Sequence, residues 1–229
     1  MITSISRDDL FNYVGAQLST FFPDKYGFYG NDINRAFDIA LDRLQFCFKH
    51  ISEKSYCVDG VVTFNHLHSD HYCHFLWFLA NSLWAQSQNK PICDKLVFLN
   101  KTLNAVLITY KVNLPNIFLL GHPVGTVLGD AFYSDFLVVL QNVTVNHANG
   151  QDGSKIIKFG KGVCLASGSK VIGEGSIGNN CSIGSNALLY NPNLPDNHIA
   201  FINQDGLQIK ASNKQCLAQR YFFTDLKSY

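Results

Sequence analysis

The sequence predicts an α+β protein: a helical N-terminal half followed by a parallel β solenoid of triangular cross-section. Three observations carry this. Apolar residues recur at a helical period up to about residue 115. Beyond residue 116 that period is lost and glycine becomes frequent. From Phe159 onward a bulky apolar residue recurs every sixth position, at Phe159, Leu165, Val171, Ile177, Ile183 and Leu189.

The helical half is read as follows. Asn31 and Asp32 can cap a helix bearing Ile33, Ala36, Phe37, Ala40, Leu44, Cys47 and Ile51. Val61–Phe64 is a short extended piece. Ser69 opens a second helix, with Tyr72, Phe75, Leu76, Leu79, Ala80 and Leu83 on one face. Pro91 suits the first turn of a third helix, carrying Leu96, Leu99, Leu103 and Val106. Leu114–Pro115 ends it, because a residue before proline avoids the α region.

The period of six has a direct physical reading. Each side of a triangular coil takes about two extended steps, points its aliphatic side chain inward and then turns. The position after the aliphatic holds Gly160, Gly178 and Gly184. Four places on come Val163, Ser169, Gly175, Cys181 and Ala187, all small enough for a corner. Eighteen residues then make one coil, stabilised by its neighbours above and below. Burying each aliphatic contributes roughly 1.5–3 kcal/mol. A β-sandwich of period two is excluded, since alternation would place Gly and Ser in core slots. A weaker phase of sixes runs through Leu128, Ser134 and Leu140. The step from Leu140 to Phe159 is out of register, and residues 146–157 read as a polar loop extruded from the solenoid. The expected units are 1–115 helical, 116–210 solenoid and 211–229 a C-terminal tail.

Composition narrows the function classes. The 229 residues carry a net charge of +1, so no basic field exists to hold nucleic acid. An aromatic content of 13% excludes disorder. Apolar runs are too short for a membrane span. The first nine residues lack the apolar stretch of a secretory signal. Seven scattered cysteines without a CxxC read as reduced, buried thiols in a cytoplasmic protein.

Two further segments bear on chemistry. His122-Pro123-Val124-Gly125 precedes the Val138–Val145 block. Residues 65–74, Asn-His-Leu-His-Ser-Asp-His-Tyr-Cys-His, hold four of the eight histidines at a helix start. Metal binding is not favoured, because a β-helix metal site needs histidines within the coils and residues 159–190 contain none.

With these residues in view, the chain resembles the left-handed parallel β-helix acyltransferases. The order of helical half, His-Pro-x-Gly segment, polar loop and hexads is similar to serine acetyltransferases and to relatives of polysaccharide-building enzymes. The resemblance covers about residues 60–210. It implies acetyl-CoA as acyl donor, no metal, and a histidine base that takes a proton from the acceptor hydroxyl. It implies an oxyanion stabilised by a backbone N–H or small polar group. By position it assigns His122 as the base. Ala166, Ser167, Gly168, Gly184 and Ser185 match the turns against which the pantetheine lies, and Lys210 is placed to meet a phosphate. It also implies a homotrimer, sometimes paired into a hexamer.

The sequence departs from the family pattern at two places. The family's base follows an Asp, whereas here Gly121 precedes His122. The family's loop ends in His-Pro, whereas here it ends Ser154-Lys155, with His147 earlier. The helical half is expected to supply the missing groups: Asp70 as the carboxylate that orients His122 or binds an amine, with His68, His71 and His147 lining the acceptor site. Serine or a related small hydroxyl compound is the expected acceptor. A sugar acceptor for O- or N-acetylation in surface polysaccharide synthesis, or a non-catalytic β-helix assembly subunit, are the alternatives.

Overall fold

The computed structural model describes residues 1–147 and 156–229. Four helices precede the solenoid: α1 (Arg7–Phe21), α2 (Asn31–Phe48), α3 (Ser69–Ser87) and α4 (Lys90–Asn104). Helix α1 is absent from the sequence reading, although its signals are present. Ser6 caps it by accepting the Asp9 N–H at 3.1 Å, and Leu10, Val14 and Leu18 bury one stripe. Helix α2 buries the predicted positions, but Gly30 is its N-cap, without a side-chain cap. Asp32 is instead drawn toward α3 and α4, where it accepts from Ser87 and Asn89. Helix α3 is buried nearly all round rather than on one face, since it packs between α2 and α4 beneath the solenoid.

Helix α4 ends at Asn104, not at Leu114. Ala105 adopts a left-handed conformation (φ 53°) and its N–H caps Lys101. Leu107–Ile108 then pairs in parallel with Val127–Leu128. The solenoid therefore starts ahead of residue 116.

Three sheets form the faces of a triangular prism. Their strand ends run Leu107–Ile108 to Leu188–Tyr190, Phe118–Leu120 to Gly206–Ala211, and Ala131–Tyr133 to Asn193–Leu194. All pairings between coils are parallel. The hexad positions Phe159, Leu165, Val171, Ile177, Ile183 and Leu189 all point inward and are buried. Phe159 pairs with Ile177, Leu165 with Ile183 and Val171 with Leu189, a repeat of 18 residues. Glycine follows the inward residue where coils approach closely. A Cβ on Gly178 would lie 2.5 Å from the Asp196 backbone nitrogen.

The earlier phase holds at Leu128, which is buried and pairs with Val145, but is displaced by one residue at Ser134 and Leu140. The inward positions are Tyr133, Val139 and Val145, each paired 26 residues before its partner, at Phe159, Leu165 and Val171. The difference from 18 is an insertion of eight residues between Val145 and Phe159. Ser134 and Leu140 are only partly buried. The predicted loop lies for the most part at residues 148–155, outside the described residues.

The open end of the stack is closed by a hairpin, His198–Asn203 against antiparallel Gly206–Ala211. The tail returns to its own chain. Phe222 and Leu226 are buried, Phe222 bridges to Ile51, and the Phe223 N–H donates to the His50 carbonyl at 2.9 Å.

Candidate active site

One edge of the prism carries most of the predicted site. Hydrogen bonds stack its turns coil upon coil. Asn142 N–H donates to the Val124 carbonyl, Gly168 N–H to Gln141, and Asn186 N–H to Ser167, at 2.9 Å each. The turn Ala166–Gly168 thus lies directly against Gly184–Asn186, and both continue the edge on which His122 sits. At the ordinary strand spacing of about 4.8 Å, Ser167 lies roughly 10 Å along the edge from the His122 level. Gly184 is half-buried and Ser185 exposed. Lys210, on the closing hairpin, holds its Nζ 4.9 Å from the Phe201 ring centre, next to the Gly184 level.

The first turn of this edge is longer than the others. Leu120 pairs with Val139 and Leu128 with Val145, so eight positions lead from Leu120 to Leu128 where six lead from Val139 to Val145 on the next coil. The two extra residues push His122 out of the edge. It takes φ 48°, a left-handed conformation uncommon for any residue but glycine. Its side chain is 85% exposed.

Asp70 meets His122 from the helical half. Its carboxylate is buried, with 6% exposure. Asp70 Oδ2 accepts the His122 backbone N–H at 3.0 Å and lies 3.2 Å from His122 Nδ1. Ser69 Oγ reaches Asp70 Oδ1 at 3.4 Å. A buried carboxylate at Nδ1 favours the tautomer with its proton there, which leaves Nε2 as a lone-pair base toward solvent. A cavity of about 220 Å³ adjoins the pair, lined in part by Ser69, Asp70, Asn104, Pro123 and Val124.

The remaining histidines divide. His71 is fully buried, so it does not line an open acceptor site in this chain. Its ring stacks on His68 at 4.1 Å and meets the Tyr56 ring at a tilt at 4.3 Å, and burial pushes its pKa down to about 3. His68 is half-buried at the head of α3. His147 ends the strand Thr144–His147 and pairs with Gly173. Sequence reasoning gave no role to His74, which is wholly buried between Asp70 and Leu120. Its place four residues after Asp70 on a helix was the available signal. Among the described residues no group of three or more His, Cys, Asp or Glu is placed to hold a metal ion. Among the described residues no helix is long and apolar enough to cross a membrane.

No protein-family model matches the chain. Over 108 residues it is 28% identical to a serine acetyltransferase of Synechococcus elongatus, a match spanning 46% of this chain and 44% of that relative. The structure superimposes on the serine acetyltransferase of Vibrio cholerae O1 with a TM-score of 0.65 and 19% identity, over 82% of this chain and 73% of that one. The chain has the serine acetyltransferase fold. A serine acetyltransferase solved in complex with CoA superimposes with a TM-score of 0.61 and 17% identity, over 78% and 74% of the two chains. The solenoid is thus the left-handed β-helix of the serine acetyltransferase fold, with the helical half in front of it.

Proposed function

We propose that the protein is an acetyl-CoA-dependent acetyltransferase that esterifies the hydroxyl of serine or a similarly small acceptor. The contact between Asp70 Oδ2 and His122, at 3.0 and 3.2 Å on the edge that also bears the donor turns, is the observation that carries this reading. The name of the Synechococcus relative and the CoA complex of a structural neighbour support it.

His122 Nε2 takes the proton of the acceptor hydroxyl as its oxygen attacks the thioester carbonyl. The C–S bond breaks, and the imidazolium returns the proton to the departing thiolate. Asp70 holds the imidazole through Nδ1 and stabilises its charged form. Ala166 and Gly168 are buried, so the half-buried Ser167 and Gly184 and the exposed Ser185 are the small residues that offer a surface for the pantetheine, and Lys210 offers a cation for phosphate. The cavity beside Asp70, about 220 Å³, is smaller than the usual range for larger ligands, which favours a small acceptor over a nucleotide sugar. A base 85% exposed in one chain needs a second surface to exclude water, which supports an assembly such as a homotrimer with the site between copies.

The test is release of CoA thiol from acetyl-CoA with L-serine, amino sugars and nucleotide sugars in turn. Release with serine supports the reading. Release with sugars alone would replace the acceptor, and absence of acetyl-CoA binding would overturn it.

A further inference from the structure

We propose that His74 is a positioning residue for the Asp70–His122 pair, locking the helix turn that carries the carboxylate to the strand that leads into the histidine. The proposal rests on the reading of that pair as the catalytic one.

The lock is defined by its partners. His74 Nδ1 lies 2.6 Å from the Asp70 carbonyl oxygen, which can only accept. The Leu120 backbone N–H lies 3.1 Å from His74 Nε2 and can only donate. The ring is therefore neutral, with its proton on Nδ1, and no other tautomer satisfies both partners. His74 is wholly buried and stacks on Phe118 at 5.0 Å. Phe118–Leu120 is the edge strand of its sheet, so its outward N–H groups have no strand to pair with. The helical half supplies the partners instead: Cys47 Sγ for Phe118 and His74 for Leu120.

The consequence falls on His122. Only Gly121 separates Leu120 from His122, and Asp70 is the other end of the bridge. One imidazole thus ties both members of the pair at backbone level. The ionisable groups around it are Asp70, His68, His71 and Tyr56. Burial holds His74 neutral at neutral pH, with a pKa of about 4.

The test is the 15N spectrum of the His122 imidazole, recorded by NMR with histidine-selective labelling in the full chain, in wild type, His74→Phe, Asp70→Asn and the double variant. The Asp70 carboxylate at Nδ1 favours the ring protonated there, so Asp70→Asn is expected to move the two ring-nitrogen shifts toward those of the Nε2-protonated ring. His74→Phe is expected to move them at least half as far in the same direction. In the double variant, the His74 substitution is expected to add little to the Asp70→Asn effect. With an active acceptor, kcat falls at least tenfold in His74→Phe while the KM for acetyl-CoA holds. Where His74→Phe does not fold, His74→Gln, which retains an acceptor for Leu120 but loses the donor to Asp70, is expected to give an intermediate shift. A folded His74 variant whose His122 ring-nitrogen shifts match wild type overturns the proposal. Retained turnover in His122→Ala overturns the underlying reading instead, so the two failures are separable.

Discussion

Asp70 and His122, 52 positions apart, meet on a single oxygen. Asp70 Oδ2 accepts the His122 backbone N–H at 3.0 Å and stands 3.2 Å from its Nδ1. The carboxylate fixes both the main chain and the ring of the same residue. Substituting His122 with Ala is expected to lower kcat by about 10²–10⁴-fold, the range for losing a general base. Asp70→Asn is expected to lower kcat with a smaller effect on the KM for acetyl-CoA. Thiol-release kinetics check both, and full turnover in His122→Ala refutes the base assignment.

The donor edge makes a different prediction. Ser185→Trp and Lys210→Glu alter groups that stand exposed along it, away from His122. Each is expected to raise the KM for acetyl-CoA several-fold and to leave the acceptor KM unchanged. Equal KM values for acetyl-CoA in wild type and both variants would place the donor elsewhere.

Ile183 is wholly buried in the prism and pairs with Leu165 and Ala200 on adjoining coils. Ile183→Ala is expected to cost about 2–5 kcal/mol in urea unfolding. Ile177→Asp, which buries a charge on the neighbouring face of the same core, is expected to prevent folding. An unchanged urea midpoint for either would mean that the inward phase is misassigned.

Gly178 tests the close approach of coils. An added Cβ would stand 2.5 Å from the Asp196 backbone nitrogen, which cannot swing aside as a side chain can. Gly178→Ala is expected to cost about 1–3 kcal/mol, read from the same unfolding curves.

His71 and His74 predict a pH dependence of stability. Burial lowers their pKa values in the folded state, to about 3 and about 4, below the unfolded value of about 6.5. The unfolded chain therefore binds more protons between these values. Their contribution is complete above pH 6.5 and is lost as pH falls toward the folded values. At pH 5 each has lost about 2 kcal/mol relative to pH 7. Melting temperatures from pH 7.5 to 4.5 should fall, with a shallower fall in His71→Phe. A flat profile would show that the rings are hydrated.

Much of the fold was legible because a solenoid writes its geometry locally. Phe159 to Leu189 name the inward column one hexad at a time, and no distant contact is needed to read them. The earlier coils were legible only in part. Eight inserted residues between Val145 and Phe159 break the register, and the bulky Leu140 mimics an inward residue one place from Val139. The end of α4 was hidden because Ala105, not glycine, takes the left-handed cap.

What the sequence by itself determined was the repeat: its period, its inward residues and the corner glycines; His122 was picked out by the resemblance of its segment to the family's. The meeting of Asp70, His74 and Leu120 was decided only by the tertiary structure. Asp70 was eligible by type, yet spacing along a chain does not say which helix turn will cover the free edge of a strand. Packing α3 against Phe118–Leu120 exposed an unpaired N–H that needed an acceptor, and His74 was the buried side chain within reach. The same packing moved His71 from a predicted pocket wall into the core, where neighbouring aromatic rings exclude water.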